Sequence, residues 1–174
     1  MKVLVAGIGN VFLGDDGFGV EVVRRLSTEH GAEIPPWVRV VDYGVRGMHL
    51  AYDLAGAGYD MTIMVDATTR GDAPGTVYVV ELDRSQAPPP VLDAHGMQPD
   101  VVLNLVAMLG ENPGSVLLVG CEPAVLDQRM GLSTPVESAV GPAVRAVLDL
   151  IAAGSGSRKE PPCAWASPAK WSRS

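Results

Sequence analysis

Five short stretches rich in β-forming apolar residues recur along the chain, and amphipathic segments separate most of them. They span residues 3–6, 38–41, 61–65, 76–82 and 116–120. Runs of Val, Ile and Leu without polar alternation are typical of strands that are covered on both faces, as in a parallel sheet. The pattern therefore predicts strands alternating with helices, which is the organisation of an α/β protein.

Four of the other segments predict helices. They span residues 15–30, 48–54, 99–109 and 134–153. The first is amphipathic, because Phe18, Val22 and Leu26 fall on one face. The last begins with Thr134 and Glu137 at the spacing of a capping box, which is a strong start signal for a helix.

The fourth strand follows the third too closely for a parallel return. Residues 68–75 contain the turn formers Gly71 and Gly75, and a crossover needs about a dozen residues. The fourth strand is therefore predicted to run antiparallel to the third, at an edge. We expect a three-layer α/β/α fold. Its sheet has about five strands, which are mostly parallel, and one of them is an antiparallel strand at an edge. A single domain would occupy 1–153, followed by a flexible basic tail over 154–174.

Charge is distributed unevenly along the chain. The 174 residues carry a formal charge of −7, yet residues 154–174 hold four basic residues against one acid, so residues 1–153 carry −10. A net-acidic body without a basic run is a poor nucleic-acid binder, and no apolar stretch approaches the roughly 20 residues that cross a bilayer. The first residues resemble a buried strand more than a signal peptide. We therefore expect a cytoplasmic protein that binds no nucleic acid and inserts into no membrane.

Polar residues cluster where the predicted strands end. The sequence Gly7-Ile8-Gly9-Asn10 follows the first strand and leads to Asp15 and Asp16, Asp42 follows the second strand, and Asp66 follows the third. His95 lies in the long loop before the third helix. In open α/β sheets ligands bind at the carboxyl ends of the strands, so these side chains are expected on one rim.

Each of these side chains also has a purely structural interpretation. An acid in the first turn favours a helix, and we assign that role to Asp15 in preference to Asp16. Asp66 would suit a strand-end turn, and His95 a surface loop. Taken together, Asp16, Asp66 and His95 form a mixed set of two carboxylates and one imidazole, which suits a divalent ion such as Ni, Zn, Mn or Co.

Two other chemistries fit the pattern less well. Gly7 and Gly9 after a strand suggest a dinucleotide-binding oxidoreductase, but the third glycine of that motif is replaced by Phe12. Two Asp residues at the helix start would also oppose a pyrophosphate. Cys121 follows the fifth strand and has no histidine near it in sequence, so we interpret it as a buried structural thiol.

Residues 3–20 closely resemble the opening of the [NiFe]-hydrogenase maturation endopeptidases. That family has a strand, then Gly-x-Gly-Asn, then Asp-[Asp/Glu]-x-x-Gly-[Val/Ile], and the chain reads Gly7-Ile8-Gly9-Asn10 and Asp15-Asp16-Gly17-Phe18-Gly19-Val20. The match continues at residues 65–67, 73–76 and 131–133 and at His95. It covers about residues 1–153.

The resemblance implies an aspartic-type endopeptidase that removes the C-terminal extension of a nickel-loaded [NiFe]-hydrogenase large-subunit precursor. The family's metal-binding residues correspond to Asp16, Asp66 and His95, which would be the catalytic set here. The nickel would be carried by the substrate, and other divalent ions would occupy the site in vitro. The alternative within the same family is a maturation chaperone that binds the precursor without cutting it.

The chain departs from the family pattern in two places. The acid at position 16 is Asp, where many members have Glu. The loop after the second strand reads Asp42-Tyr43-Gly44-Val45-Arg46-Gly47, where many members have Asp-Gly-Gly-Thr-x-Gly. Gly44 and Gly47 would let the substrate backbone approach closely, and Tyr43 and Arg46 would contact a particular large subunit.

Overall fold

The computed structural model describes residues 1–82, 99–108 and 114–155, which form one sheet flanked by helices. The strands are β1 (Val3–Ile8), β2 (Val38–Gly44), β3 (Met61–Ala67), β4 (Val77–Glu81) and β5 (Ser115–Cys121). The helices are α1 (Phe18–Glu29), α2 (Gly47–Ala57), α3 (Pro99–Met108) and α4 (Thr134–Ser155). Short 3₁₀ turns cover Gly14–Gly17 and Gly31–Glu33. Every helix in the described part is too short or too polar to span a bilayer.

The strand order is β2-β1-β3-β5-β4, with β4 antiparallel and the other four strands parallel. This confirms the predicted fold class and the antiparallel edge strand. The expected partner of that strand was wrong, because β4 pairs with β5 and not with β3. The reason lies in burial. Apolar side chains of β5 are buried on both faces of the sheet, which suits an inner position, whereas β4 ends at the exposed Glu81.

Side chains alternate between two cores on opposite faces of the sheet. Val3 and Val5 of β1 pack in the cluster that contains α1 and α4, whereas Leu4 and Ala6 pack in the cluster that contains α2 and α3. In β3 the alternation places Met64 in the second cluster. Because the period along a strand is two, Asp66 projects from the same face as Met64.

Several predicted helix boundaries shift, and one lies outside the described residues. The first helix was expected from 15, but residues 14–17 form the 3₁₀ turn and α1 begins at Phe18. The last helix continues to Ser155, so the tail expected from 154 begins in helix, and residues 156–174 lie outside the described residues. The third helix is described to Met108, and its expected end at 109 also lies outside them.

The order of the strands creates a crevice between β1 and β3. The chain leaves β1 for β2 on one side and then returns to β3 on the other side, which makes the carboxyl ends of β1 and β3 the switch point of the sheet. The start of α1 closes this crevice from below. A side chain at Gly19 would collide with the carbonyl oxygens of Ile8 and Val65, so glycine alone lets the helix approach both strands.

Replacing Gly19 with alanine is expected to destabilise the fold. The new Cβ must push α1 away from β1 and β3, and overpacking of this kind typically costs about 1–3 kcal/mol. Gly56→Ala is the matched control, since nothing lies within 4 Å of a Cβ at this position in α2. Chemical denaturation should show a loss for Gly19→Ala and a neutral or stabilising effect for Gly56→Ala. Equal stability of the two variants would contradict the role assigned to Gly19.

Candidate functional site

The first carboxylate of the site is held by the turn that follows β1. Gly9 has a φ of 132°, and a Cβ there would collide with the carbonyl oxygen of Asp16, so the turn packs directly on the 3₁₀ segment. The amide of Asn10 donates to Oδ2 of Asp16 at 2.7 Å. Burial raises the pKa of Asp16, and the hydrogen bond from Asn10 only partly offsets that effect. Asp16 is therefore a half-buried acid whose ionisation is disfavoured.

The second carboxylate comes from the end of β3. Asp66 is buried there, with 5% of its surface exposed. Burial, and then the negative charge of Asp16, hold the pKa of Asp66 well above its ordinary value, against a hydrogen bond from the amide of Ala67. The structure thus brings Asp16 and Asp66 together at the β1–β3 switch point. Within the described residues, no Lys or Arg forms an ion pair with either of them.

Two neighbouring carboxylates without a cationic partner have a defined chemistry. They share protons, because two like charges in a poorly solvated site oppose each other's ionisation. They can also hold a divalent cation or a water molecule between them, and carboxylate oxygens are ligands for such ions. The described residues contain no cluster of three or more His, Cys, Asp or Glu side chains suited to a metal. The third expected member, His95, lies outside the described residues.

Asp15 has a different role from the one predicted. Its carboxylate is fully buried and accepts four hydrogen bonds, from the amides of Ala124 and Val125 and from the amide and hydroxyl of Ser133, at 2.6–2.8 Å. Burial alone would raise its pKa, but these hydrogen bonds outweigh burial and hold the pKa below its ordinary value. Asp15 therefore fastens the loop between β5 and α4 to the 3₁₀ turn instead of capping its own helix.

The loop after β2 forms the neighbouring wall of the rim. Gly44 has a φ of 51°, a conformation that favours glycine, and its carbonyl accepts a hydrogen bond from the amide of Gly9 at 3.1 Å. Arg46 is exposed and donates to the backbone carbonyls of Asp42 and Tyr43, so it stabilises the loop. Gly47 is buried at the start of α2.

Tyr43 does not present its ring to a partner as predicted. It is only 4% exposed and packs in the core beneath α2, where its hydroxyl donates to Oδ2 of Asp53 at 2.5 Å. The prediction is wrong because Tyr43 lies on the face of β2 that packs against α2 and α3. Which face a strand residue occupies depends on the register of the strand. Arg46 therefore remains the exposed side chain of the two.

The sequence reasoning missed a second set of supports beside Asp66. Glu122 is buried, and its Oε2 accepts the amides of Arg70 at 2.7 Å and Asp72 at 3.3 Å, which fixes the loop after β3. The hydroxyl of Tyr78 donates to the carbonyl of Thr68 at 3.0 Å. A polar residue directly after a buried strand was the signal for Glu122, as it was for Asp66.

Cys121 is a buried free thiol, as predicted. Burial first, and then the charges of Asp15 and Glu122, raise its pKa to about 12. A thiol with this pKa stays protonated at neutral pH and is a poor nucleophile.

Comparisons with known proteins agree on one family. A family model described as hydrogenase maturation protease matches residues 20–150. The hydrogenase 2 maturation protease of Escherichia coli (strain K12) is 33% identical over 153 residues, which are 85% of this chain and 89% of that protein. The hydrogenase expression/formation protein HoxM of Azotobacter vinelandii is 36% identical over 156 residues, which are 87% of this chain and 72% of that protein.

Solved structures give the same result. The hydrogenase maturating endopeptidase HybD from E. coli is similar with a TM-score of 0.69 at 30% identity, over 88% of this chain and 94% of that chain. The [NiFe] hydrogenase maturation protease HycI from Thermococcus kodakarensis KOD1 is similar with a TM-score of 0.68 at 21% identity, over 87% and 92% of the two chains. The second likeness supports the fold alone.

The Asp15 carboxylate is expected to be a major source of stability for the rim. Asp15→Asn replaces an acceptor with an amide that cannot satisfy all of the donors around it, at a cost of about 3 kcal/mol. Because the folded pKa is lowered, this contribution exists above the unfolded pKa and is lost as pH falls through the folded pKa. Urea denaturation should therefore show the deficit at pH 7 and a smaller one in acid. The exposed Asp127→Asn, in the same loop, is the control, and an equal loss there would contradict the assignment.

Asp66→Asn is expected to stabilise the protein at neutral pH. The pKa of Asp66 is raised in the folded state, so its ionisation opposes folding. This penalty is absent below the unfolded pKa and grows as pH rises through the folded pKa. The gain should appear at pH 7 as a higher unfolding midpoint, and it should vanish near pH 3. Asp42→Asn, an exposed acid on the same rim, should show no such gain. A destabilised Asp66→Asn at pH 7 would contradict this prediction.

Proposed function

The chain belongs to the hydrogenase maturation protease family, and we propose that it removes the C-terminal extension of a [NiFe]-hydrogenase large-subunit precursor. The observation that carries the proposal is the placement of Asp16 in the turn after β1 and of Asp66 at the end of β3, two carboxylates without a cationic partner in the described residues. The proposed compartment is the cytoplasm, as expected from the sequence.

In this proposal the nickel of the precursor is the recognition element. Asp16, Asp66 and His95 would dock onto a nickel ion that the substrate already holds, so only loaded precursor is positioned for cutting. An O/O/N set binds nickel less tightly than a thiolate-rich set, so the ion would stay with the substrate. The chemistry of the two described donors fits this role, since a divalent cation would neutralise the repulsion that raises the pKa of Asp66. Other divalent ions would occupy the site in vitro.

Hydrolysis would proceed by attack of a water molecule held at the carboxylate pair, as in an aspartic-type endopeptidase. The oxygen of the water forms the new bond to the scissile carbonyl carbon, and its proton passes to a carboxylate. The C–N bond then breaks as the leaving amine takes up that proton. Gly44, Gly47 and Arg46 would border the bound substrate segment, with Tyr43 supporting the loop from below.

Single substitutions in the proposed set should abolish processing. Asp16→Asn, Asp66→Asn and His95→Ala are each expected to slow cleavage at least about 100-fold, since each removes a group that holds the reacting centre. Cleavage is measured as the mass loss of purified nickel-loaded precursor, and nickel-free precursor should stay uncut. Asp149→Asn, an exposed acid on α4, is the control.

Two outcomes would overturn the proposal. Full activity in all three variants would exclude Asp16, Asp66 and His95 as the catalytic set. Stable binding of the precursor by the wild-type chain without any mass loss would favour a non-cleaving chaperone. Equal cleavage of nickel-free precursor would remove nickel recognition while leaving the endopeptidase activity in place.

A further inference from the structure

Large apolar side chains are exposed beside the carboxylate pair. Phe12 is 63% exposed in the turn after β1, and Met130 is 71% exposed in the loop before α4. Leu126 in that loop and Val11 in the turn are also exposed. Exposed apolar groups gathered at one place on a protein surface commonly mark a binding site.

The turn and the loop border a shallow, open surface cleft. Its volume is about 400 Å³, and it is lined by Asn10, Phe12, Leu13, Gln128, Arg129 and Met130. The cleft is continuous with the site, because Asn10 lines it and also donates its amide to Asp16. A group bound in the cleft would therefore lie one residue away from the first carboxylate.

The backbone that carries these side chains is fixed. The amide of Gly14 donates to the carbonyl of Arg129 at 2.9 Å, and the amide of Arg129 donates to the carbonyl of Phe12 at 3.1 Å. The buried carboxylate of Asp15 holds the same loop through Ala124, Val125 and Ser133. The exposed side chains of Phe12 and Met130 are thus carried by a hydrogen-bonded backbone, which lowers the conformational entropy lost on binding.

We propose that this cleft binds a large aliphatic or aromatic side chain of the precursor, on the polypeptide segment next to the scissile bond. The inference rests on the proposed function, since it takes the occupant of the adjacent site to be a polypeptide. The apolar walls given by Phe12, Leu13 and Met130 select the side chain. Gln128 adds a side-chain amide at the edge, which suits a peptide group of the same segment.

With this cleft, two parts of the rim would recognise the precursor. The carboxylates recognise charge, and the cleft recognises an apolar side chain at a fixed offset from the bond to be cut. Loss of one exposed wall residue should weaken binding about tenfold, because burial of such a side chain contributes about that factor.

The test measures precursor binding and cleavage separately. Phe12→Ala and Met130→Ala are made alone and together, both in the wild-type chain and in the inactive Asp16→Asn background. Tyr52→Ala and Met108→Ala are matched controls, because these side chains are 60% and 63% exposed on α2 and α3. Binding of purified large-subunit precursor to the Asp16→Asn proteins is measured by calorimetry, and KM and kcat are measured for the active ones. Unfolding midpoints and sedimentation report folding and oligomeric state.

The expected result is a rise of about tenfold in Kd and KM for each cleft variant, a larger rise for the double variant, and kcat within about twofold. The controls should bind as well as wild type. Unchanged binding in the double variant, equal loss in the controls, or a change in oligomeric state in place of a change in Kd would overturn the inference. Cleft-dependent binding by a wild-type chain that never cuts would support the cleft and refute the proposed function, so the two failures are distinguishable.

Discussion

The burial of Asp66 close to Asp16, with no Lys or Arg paired to either in the described residues, is the constraint on which the rest of the rim depends. Burial and mutual repulsion both raise the pKa of Asp66, so the folded protein holds this pair at a cost in stability. Such a pair persists only where the surrounding structure fixes it. Here Gly19 lets α1 reach the ends of β1 and β3, and Gly9 lets the turn after β1 lie on the backbone of Asp16. The close approach of backbone segments is what keeps the two acids together.

Asp15 and Asp16 are adjacent in sequence, but their pKa values shift in opposite directions. The 3₁₀ turn directs Asp15 into the protein, where four donors surround it and lower its pKa. Asp16 faces the crevice and accepts one hydrogen bond from the described residues, donated by the amide of Asn10. The first carboxylate stabilises the loop before α4, and the second is left free for chemistry. The hydrogen-bonded carboxylate of Asp15 thus stabilises the folded state next to the site where the ionisation of Asp66 destabilises it.

Local patterns predicted the elements, and non-local packing decided the rest. Continuous apolar runs marked the strands, and the position of Asp66 after one of them was enough to place it at the rim. The partner of β4 could not be read from the sequence, because it depends on β5, which follows later in the chain. The helix-start role predicted for Asp15 was wrong for the same reason, because its hydrogen-bond donors lie more than one hundred residues away in sequence. The surface role predicted for Tyr43 was wrong because a shift of one residue in strand register moves a side chain to the opposite face of the sheet.

Within the described residues no Lys or Arg pairs with Asp16 or Asp66, which suggests why recognition and cutting would be coupled. A carboxylate pair that carried its own Lys or Arg would be stable and ready at all times, whereas Asp16 and Asp66 are better ionised once a cation arrives. In the proposed reaction that cation comes with the substrate, so a precursor without metal leaves the pair partly protonated and unfit to activate water. The apolar cleft beside Asn10 carries no such condition and would bind loaded and unloaded chains alike. In this proposal, selection for loaded precursor would depend on the carboxylates, and selection for sequence would depend on the cleft.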